Sequence, residues 1–313
     1  MCAALPMATA HKKRPIRIFA VFAVFSLFAV SGARAQERAD CRAVRSAILH
    51  SSVRYCAFLP ASYSTPEGKL RKYPVLYLLH GLGGTQQSAV LNGEWTVLQD
   101  LRRDHKIGDF IVVSPEAWDT FYINSRDGNT RYSDFFLSEF LPYIERTYRI
   151  QTTRLTRGIT GFSMGGYGAL RFAFLRPDLF GSVSAHSAAI ERDPPDEVSA
   201  VQSSGNFVSE VLGKTFGDPI DKPFWFRNSP YVLAKNNVAQ LKSLKIYFDC
   251  GTEDTFGLYV GATEMHKLLD SLKIHHEFHL YPGGHTGSYL VQHRDASFEF
   301  HWHVFHPESE KER

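Results

Sequence analysis

The chain alternates between short apolar runs and longer stretches with a helical rhythm. Tyr73-Pro74-Val75-Leu76-Tyr77-Leu78-Leu79-His80 is almost wholly apolar and stops at Gly81. A run of this length between turn signals predicts a strand buried on both faces. The signature recurs at Phe110–Ser114, Gly158–Phe162, Gly181–Ala185, Leu244–Asp249 and His276–Tyr281. Between these runs, Tyr132–Tyr148 gathers Phe135, Phe136, Phe140, Tyr143, Ile144 and Tyr148 on one helical face. Gly165–Arg176 predicts a helix stopped by Pro177, Gly257–Leu272 an amphipathic helix through Ala262, Met265, Leu268 and Leu269, and Ser288–Phe305 a closing helix. Residues 43–60 predict two more short strands. The alternation predicts a three-layer α/β sandwich, a mostly parallel central sheet of about eight strands with helices on both faces. Residues 188–243 break the rhythm; they are polar, contain Pro and Gly and are weakly periodic. They are expected to form an insertion over one end of the sheet, inside a single domain of residues 36–313.

The first 35 residues follow a different pattern. A basic stretch from His11 to Arg17 precedes an apolar run, Ile18–Val30, and then Ser31-Gly32-Ala33-Arg34-Ala35 with its Ala-x-Ala cleavage signal. Basic, apolar, then small is the layout of a secretory signal peptide, and the run is short for a membrane span of roughly 20 residues. A secreted or periplasmic product without stable membrane insertion is expected. Removing the leader takes away five Lys/Arg and no acid. Of 35 basic residues 30 then remain against 32 acidic, and the net charge falls from +3 to −2. The remainder lacks the clustered positive charge a nucleic-acid surface needs. With 44% hydrophobic residues the whole chain can bury a sizeable core.

Cys41, Cys56 and Cys250 remain after the leader, an odd number. With a turn at His50-Ser51, Cys56 faces about Arg45 and Cys41 lies roughly 13 Å further along the strand, beyond disulfide reach. This geometry argues against a Cys41–Cys56 bridge and leaves the pairing open. Cys250 is expected as a buried thiol at a strand end.

Gly161-Phe162-Ser163-Met164-Gly165 fits Gly-x-Ser-x-Gly between a predicted strand and a predicted helix. In that context the serine occupies a sharp turn that exposes Oγ at a helix N-terminus. A chance match in a chain with 23 glycines is the bland alternative; the strand–turn–helix context argues against it. A serine hydroxyl needs a base. His285, in the glycine-rich loop Tyr281–Gly287, can reach back over the sheet edge; His275, His276 and His279 lie on or before a strand and are weaker candidates, His301, His303 and His306 read as surface or packing residues, and His80 as a structural hydrogen-bonding group. The loop after Phe248 offers carboxylates. Asp249 is still in the strand and is expected to bond to nearby backbone; Asp254 is the choice for the acid, Glu253 the reserve. The order Ser163, Asp254, His285 is that of an α/β-hydrolase. Oxyanion donors are expected from the amides of Met164 and of Leu82, in the loop Leu79–Gly84. Trp118, Phe121 and Tyr122 follow a strand and are candidates for the acyl-pocket wall, with core packing the competing reading.

Three stretches carry a family resemblance: His80-Gly81-Leu82-Gly83-Gly84, Gly161–Leu170, and Asp249–Asp254 followed by Gly284-His285. Together they resemble the esterase D, or putative esterase, family over residues 44–305, a family of formylglutathione hydrolases, feruloyl and acetylxylan esterases, short-chain esterases and mycolyltransferases. The resemblance implies the α/β-hydrolase fold, Ser163, Asp254 and His285 as triad, the Leu82 and Met164 amides as oxyanion hole, and neither metal nor organic cofactor. Phe121–Ser125 with Tyr132 and Asp134 is most similar to the short-chain and formylglutathione branch. Thr286-Gly287-Ser288-Tyr289 departs from the family, where many members carry an Asp and an aromatic after the histidine. Export moves the expected substrate from a cytosolic thioester to a small-molecule or carbohydrate-linked acyl ester. A formylglutathione-type thioesterase, a sugar acyltransferase and a non-catalytic binding protein on the same fold are the alternatives.

Overall fold

The computed structural model describes residue 1 and residues 35–194 and 199–306; the predicted leader lies outside the described residues. Among them are eight strands: β1 (Arg38–Arg45), β2 (Ser52–Leu59), β3 (Val75–Leu79), β4 (Ile111–Pro115), β5 (Arg157–Phe162), β6 (Ser182–His186), β7 (Lys245–Gly251) and β8 (Glu277–Tyr281). The helices are α1 (Ser88–Leu91), α2 (Glu94–Arg103), α3 (Tyr132–Phe135), α4 (Leu141–Thr147), α5 (Met164–Leu175), α6 (Ser199–Phe216), α7 (Lys222–Asn228), α8 (Pro230–Asn236), α9 (Val238–Leu241), α10 (Leu258–Ser271) and α11 (Gly287–Phe305). No described helix is long and apolar enough to cross a membrane.

The strands form one sheet in the order β1-β2-β4-β3-β5-β6-β7-β8. Only β1 and β2 run antiparallel to their neighbours; β4-β3-β5-β6-β7-β8 is parallel throughout. Side chains alternate across a strand, and β3 shows the result. Leu76 and Leu78 join one core layer with Leu98, Leu101, Phe298 and Phe305 of α2 and α11. Val75, Tyr77 and Leu79 join the other, against Phe136, Phe140, Ile144 and Phe172. Both faces are covered at β3 and β4, which is why these strands read as continuous apolar runs; β8, expected to be buried on both faces, is instead a partly exposed edge strand.

The face under α11 is different beyond β3. Thr160, Ser182, Ser184, His186 and Asp249 are buried there and meet a helix that brings Tyr289, Arg294, Ser297 and His301. Of the two roles expected for His301, surface or packing, it takes packing: its ring sits 2.7 Å from Ser182 Oγ and 2.9 Å from Ser184 Oγ. Arg294 donates to Thr160 Oγ1 at 2.8 Å and pairs with the buried Glu94 of α2. Buried charges persist when paired in this way. This polar layer leaves α11 without a clear apolar stripe.

The hairpin reading of the cysteines is corrected. Cys41 and Cys56 are directly opposite in the β1–β2 register and form a disulfide. The connection is the six-residue loop Ser46–Ser51, not a two-residue turn, and the Ser46 N–H closes it on the Ser51 carbonyl at 2.9 Å. Glu139, 93 residues away, holds the loop by accepting from Ser46 Oγ at 2.5 Å and from the amides of Ala47 and Ile48 at 3.1 Å. Opening the cross-link should destabilise the fold by about 3 kcal/mol for a loop of this size. The Cys41→Ser/Cys56→Ser protein is therefore expected to unfold at lower urea with an m-value near wild type; an unchanged midpoint would contradict this. Cys250 is buried and free, as expected.

Residues 188–243 contain α6 to α9, so the segment is more regular than its composition predicts. Asp221 caps α7 by accepting from the Phe224 amide at 2.8 Å. Phe216 packs against Trp225 at 4.6 Å between ring centroids, and from there α6 and α7 reach the mouth of the site.

Candidate active site

Ser163 stands between β5 and α5 with φ 56° and ψ −117°, a region L-residues enter at a cost of about 1–3 kcal/mol. The chain tolerates it because neighbours hold the turn. The Ser163 N–H donates to the His186 carbonyl at 3.0 Å, and the Ser163 carbonyl accepts from Tyr167 and Ala189, each at 3.0 Å. The two glycines of the motif are required by close approach. A Cβ on Gly161 would lie 2.2 Å from the Gly165 carbonyl carbon, and one on Gly165 would lie 2.0 Å from the Leu79 carbonyl oxygen. The elbow is thus wedged against the end of β3.

Three side chains converge at this point. The Ser163 hydroxyl is 3.0 Å from His285 Nε2, and His285 Nδ1–H donates to Asp254 Oδ2 at 2.8 Å. His285 is held from both sides, stacked on Phe162 at 4.7 Å and met edge-on by Phe256 at 4.8 Å. Thr286, the next residue, caps α11 by accepting from the Tyr289 amide at 3.1 Å. Asp254 lies in a turn after β7, where its Oδ1 accepts from Phe256 N–H at 2.9 Å. Burial alone would raise the Asp254 carboxyl, but the hydrogen bond and charge of His285 and the Phe256 and Leu258 amides outweigh it and hold the group below the usual carboxylate range. Glu253, the reserve, is exposed beside it and does not meet His285. Cys250 is a neighbour of Asp254 at 3.7 Å. Burial first, then the Asp254 charge, pushes its thiol up to about 12, so it is no second nucleophile.

The loop after β3 is fixed by a group the sequence marked as structural. His80 is buried, with Nδ1–H donating to the Gly81 carbonyl at 2.8 Å and Nε2 accepting from Ala117 N–H at 2.9 Å. Burial pushes its ring below the usual histidine range, which keeps Nε2 an acceptor. Asp119 accepts from the Gly83 amide at 3.0 Å. Leu82 and Met164 then border the same cavity as Ser163. Met164 opens α5, so its N–H has no acceptor within the helix.

That cavity has a volume of about 700 Å³. Phe121, Phe207, Leu212, Trp225 and Phe256 supply apolar and aromatic wall; Thr85, Ser88, Asn92 and Glu191 supply polar groups. Of the expected pocket residues only Phe121 lines it. Trp118 is exposed and packs edge-on against Tyr132 at 6.4 Å, outside the cavity. Tyr122 is fully buried, and its hydroxyl donates to the His80 carbonyl at 2.9 Å. The cause is backbone: Trp118, Phe121 and Tyr122 all take positive φ, which redirects the ring sequence away from simple alternation.

Asp249 also departs from expectation. Its Oδ1 accepts from Tyr289 Oη at 2.8 Å and its Oδ2 lies 2.7 Å from His186 Nδ1. Its own carbonyl still serves backbone, accepting from Ser187 N–H at 2.8 Å. Sequence reasoning passed over His186, whose carbonyl holds the Ser163 amide. Its place in β6 on the α11 face, in register with Asp249, was the available signal. Asp119 and, within residues 188–243, Phe207, Leu212 and Trp225 carried no local signal.

The sheet order, the strained serine between β5 and α5 and the Ser–Asp–His chain order define an α/β-hydrolase fold. The chain matches the family model described as putative esterase over residues 46–294 and belongs to that family. It is 32% identical over 247 residues to an esterase of Mycobacterium tuberculosis, covering 73% of this chain and 51% of the relative; the chain therefore spans about half the length of that relative. An endo-1,4-beta-xylanase/feruloyl esterase of Xylanibacter ruminicola is 31% identical over 129 residues, 40% of this chain and 18% of the relative. A solved ferulic acid esterase superposes with a TM-score of 0.73 at 27% identity, covering 86% of this chain and 99% of that one.

Proposed function

We propose that this protein is an exported carboxylic-ester hydrolase acting through an acyl-enzyme on Ser163. The observation that carries the reading is the chain of contacts from Asp254 through His285 to Ser163, at 2.8 and 3.0 Å, ending on a strained elbow that opens into a cavity. His285 takes the Ser163 proton as Oγ attacks the ester carbonyl and returns it to the leaving alcohol; water then clears the acyl group with His285 again as base. Asp254 keeps the proton on Nδ1 and stabilises the imidazolium. The amides of Leu82 and Met164 receive the oxyanion, each donor being worth about 3 kcal/mol of barrier. No step calls for a metal or an organic cofactor.

Two features bear on substrate. The cavity, at about 700 Å³, lies in the range that takes a drug-sized ligand; an acetyl group would leave most of it empty. Its aromatic wall and polar loop favour an aromatic acyl group on a hydroxylated alcohol, a feruloyl-type ester on carbohydrate, over a short aliphatic ester. The feruloyl esterases among the relatives support this choice. The Cys41–Cys56 disulfide supports export, since such bonds persist in oxidising compartments.

The test is a substrate panel on the full chain: p-nitrophenyl acetate and butyrate, methyl ferulate and acetylated xylan. Hydrolysis of the nitrophenyl esters is expected, with kcat/KM highest for the feruloyl ester. Turnover of none of them would sink the hydrolase reading, and a clear preference for acetyl would sink the aromatic assignment.

A further inference from the structure

A second cluster of chemistry-bearing side chains lies at the other end of the sheet. His266 and Asp270 sit one turn apart on α10, and His276 stands just before β8. Ser163, Asp254 and His285 follow the C-terminal ends of β5, β7 and β8, whereas His276 precedes the N-terminal end of β8. The two sites are therefore separate.

His266 Nδ1 faces His276 Nε2 at 2.8 Å. The Asp270 carboxylate is 3.5 Å from His266 Nε2 and 3.9 Å from His276 Nε2. One ligand atom from each of the three lies within 4.8 Å of the others. His276 is prepared as a ligand: its Nδ1–H donates to the Ile274 carbonyl at 2.8 Å, which leaves the Nε2 lone pair turned into the cluster. A metal-bound histidine is oriented in this way by a backbone carbonyl on its other nitrogen. Aromatic rings fix both imidazoles, Phe248 stacking on His276 and Phe278 on His266. Asp270 and half-exposed His266 leave an entry path from solvent, since their side chains are 62% and 36% exposed.

We propose that His266, Asp270 and His276 bind one divalent transition-metal ion, with Zn2+ the best match and water in the fourth position. Two imidazoles and a carboxylate form a donor set that suits Zn2+ and excludes the all-oxygen preference of Ca2+ and Mg2+. The ion replaces the proton shared by the two rings. At bond lengths of about 2.1 Å the two nitrogens then stand about 3.4 Å apart, an opening that the half-exposed His266 side chain can supply. The carboxylate offsets one of the two positive charges. β8 is an edge strand that pairs only with β7, so the ion would pin the exposed end of the sheet to its own crossover helix. The role is structural, and the inference does not depend on the esterase reading.

The experiment uses the full chain, free of any affinity tag and dialysed against chelator, titrated with Zn2+ by calorimetry. One equivalent is expected to bind saturably at micromolar or lower concentration. At a hundredfold excess over the dissociation constant the unfolding midpoint should rise by about 5 °C. Substituting Co2+ should give visible absorption of a four-coordinate site. His266→Gln and Asp270→Asn lie on the outer face of α10 and should fold as wild type, each weakening Zn2+ binding by at least about tenfold and removing most of the thermal shift. The absence of a saturable equivalent in the wild type overturns the proposal. So does undiminished binding in His266→Gln, which would assign the ion to other histidines, or in Asp270→Asn, which would remove the carboxylate from the ligand set.

Discussion

Ser163→Ala is expected to lower kcat on any accepted ester by about 10⁴- to 10⁶-fold. The size of the loss follows from the chemistry: without Oγ there is no acyl-enzyme, and what survives is water attack aided by the oxyanion amides. Alanine is the informative replacement because it keeps the Cβ at φ 56° and therefore keeps the strain of the elbow. The unfolding midpoint should stay within a degree or two of wild type. Covalent labelling by a fluorophosphonate, read as a single mass addition, should vanish in the same variant. Retained turnover, or labelling that persists at another residue, would remove Ser163 from the mechanism.

Asp254→Asn is expected to cost about 10⁴-fold in kcat with little change in KM, whereas Glu253→Gln should change neither by more than about twofold. The contrast rests on position. Asp254 Oδ2 accepts the His285 Nδ1 proton at 2.8 Å, while Glu253 points to solvent. An asparagine can turn its amide nitrogen towards Nδ1 and so favour the tautomer with the proton on Nε2, which faces Ser163 and can no longer accept from it. The acid is read from initial rates of the two single variants under identical conditions; a larger loss at Glu253 would reverse the assignment.

What the sequence made legible is what short-range rules control. Buried parallel strands announce themselves as apolar runs, and the spacing of Gly161, Ser163 and Gly165 follows from atoms that would collide with any larger residue. The chain order of Ser163, Asp254 and His285 selected one fold among those that use such a group, and the three side chains do meet. The misses share a different cause, long-range contact. The β1–β2 loop is six residues long because a carboxylate from Glu139 organises it, and no local rule would have placed Cys41 opposite Cys56. Tyr122 turns inward on a positive-φ backbone, and the His80 carbonyl 42 residues away accepts its hydroxyl. Asp249 and His186 point to the same face by strand alternation, yet their pairing depends on a polar helix, α11, whose own pattern gave no stripe to read. Residues 188–243 looked irregular in composition because a few aromatic residues anchor them, Phe216 packing on Phe121, Tyr167 and Trp225, while Phe207 and Leu212 turn to the cavity.

That division of labour has a consequence for how such a protein can diversify. Ser163, Asp254 and His285 hang from loops after β5, β7 and β8, while Phe207, Leu212 and Trp225 come from a contiguous stretch that none of those loops contains. Drift, exchange or wholesale replacement of that stretch would give a lineage a new appetite without rebuilding the machinery beneath it.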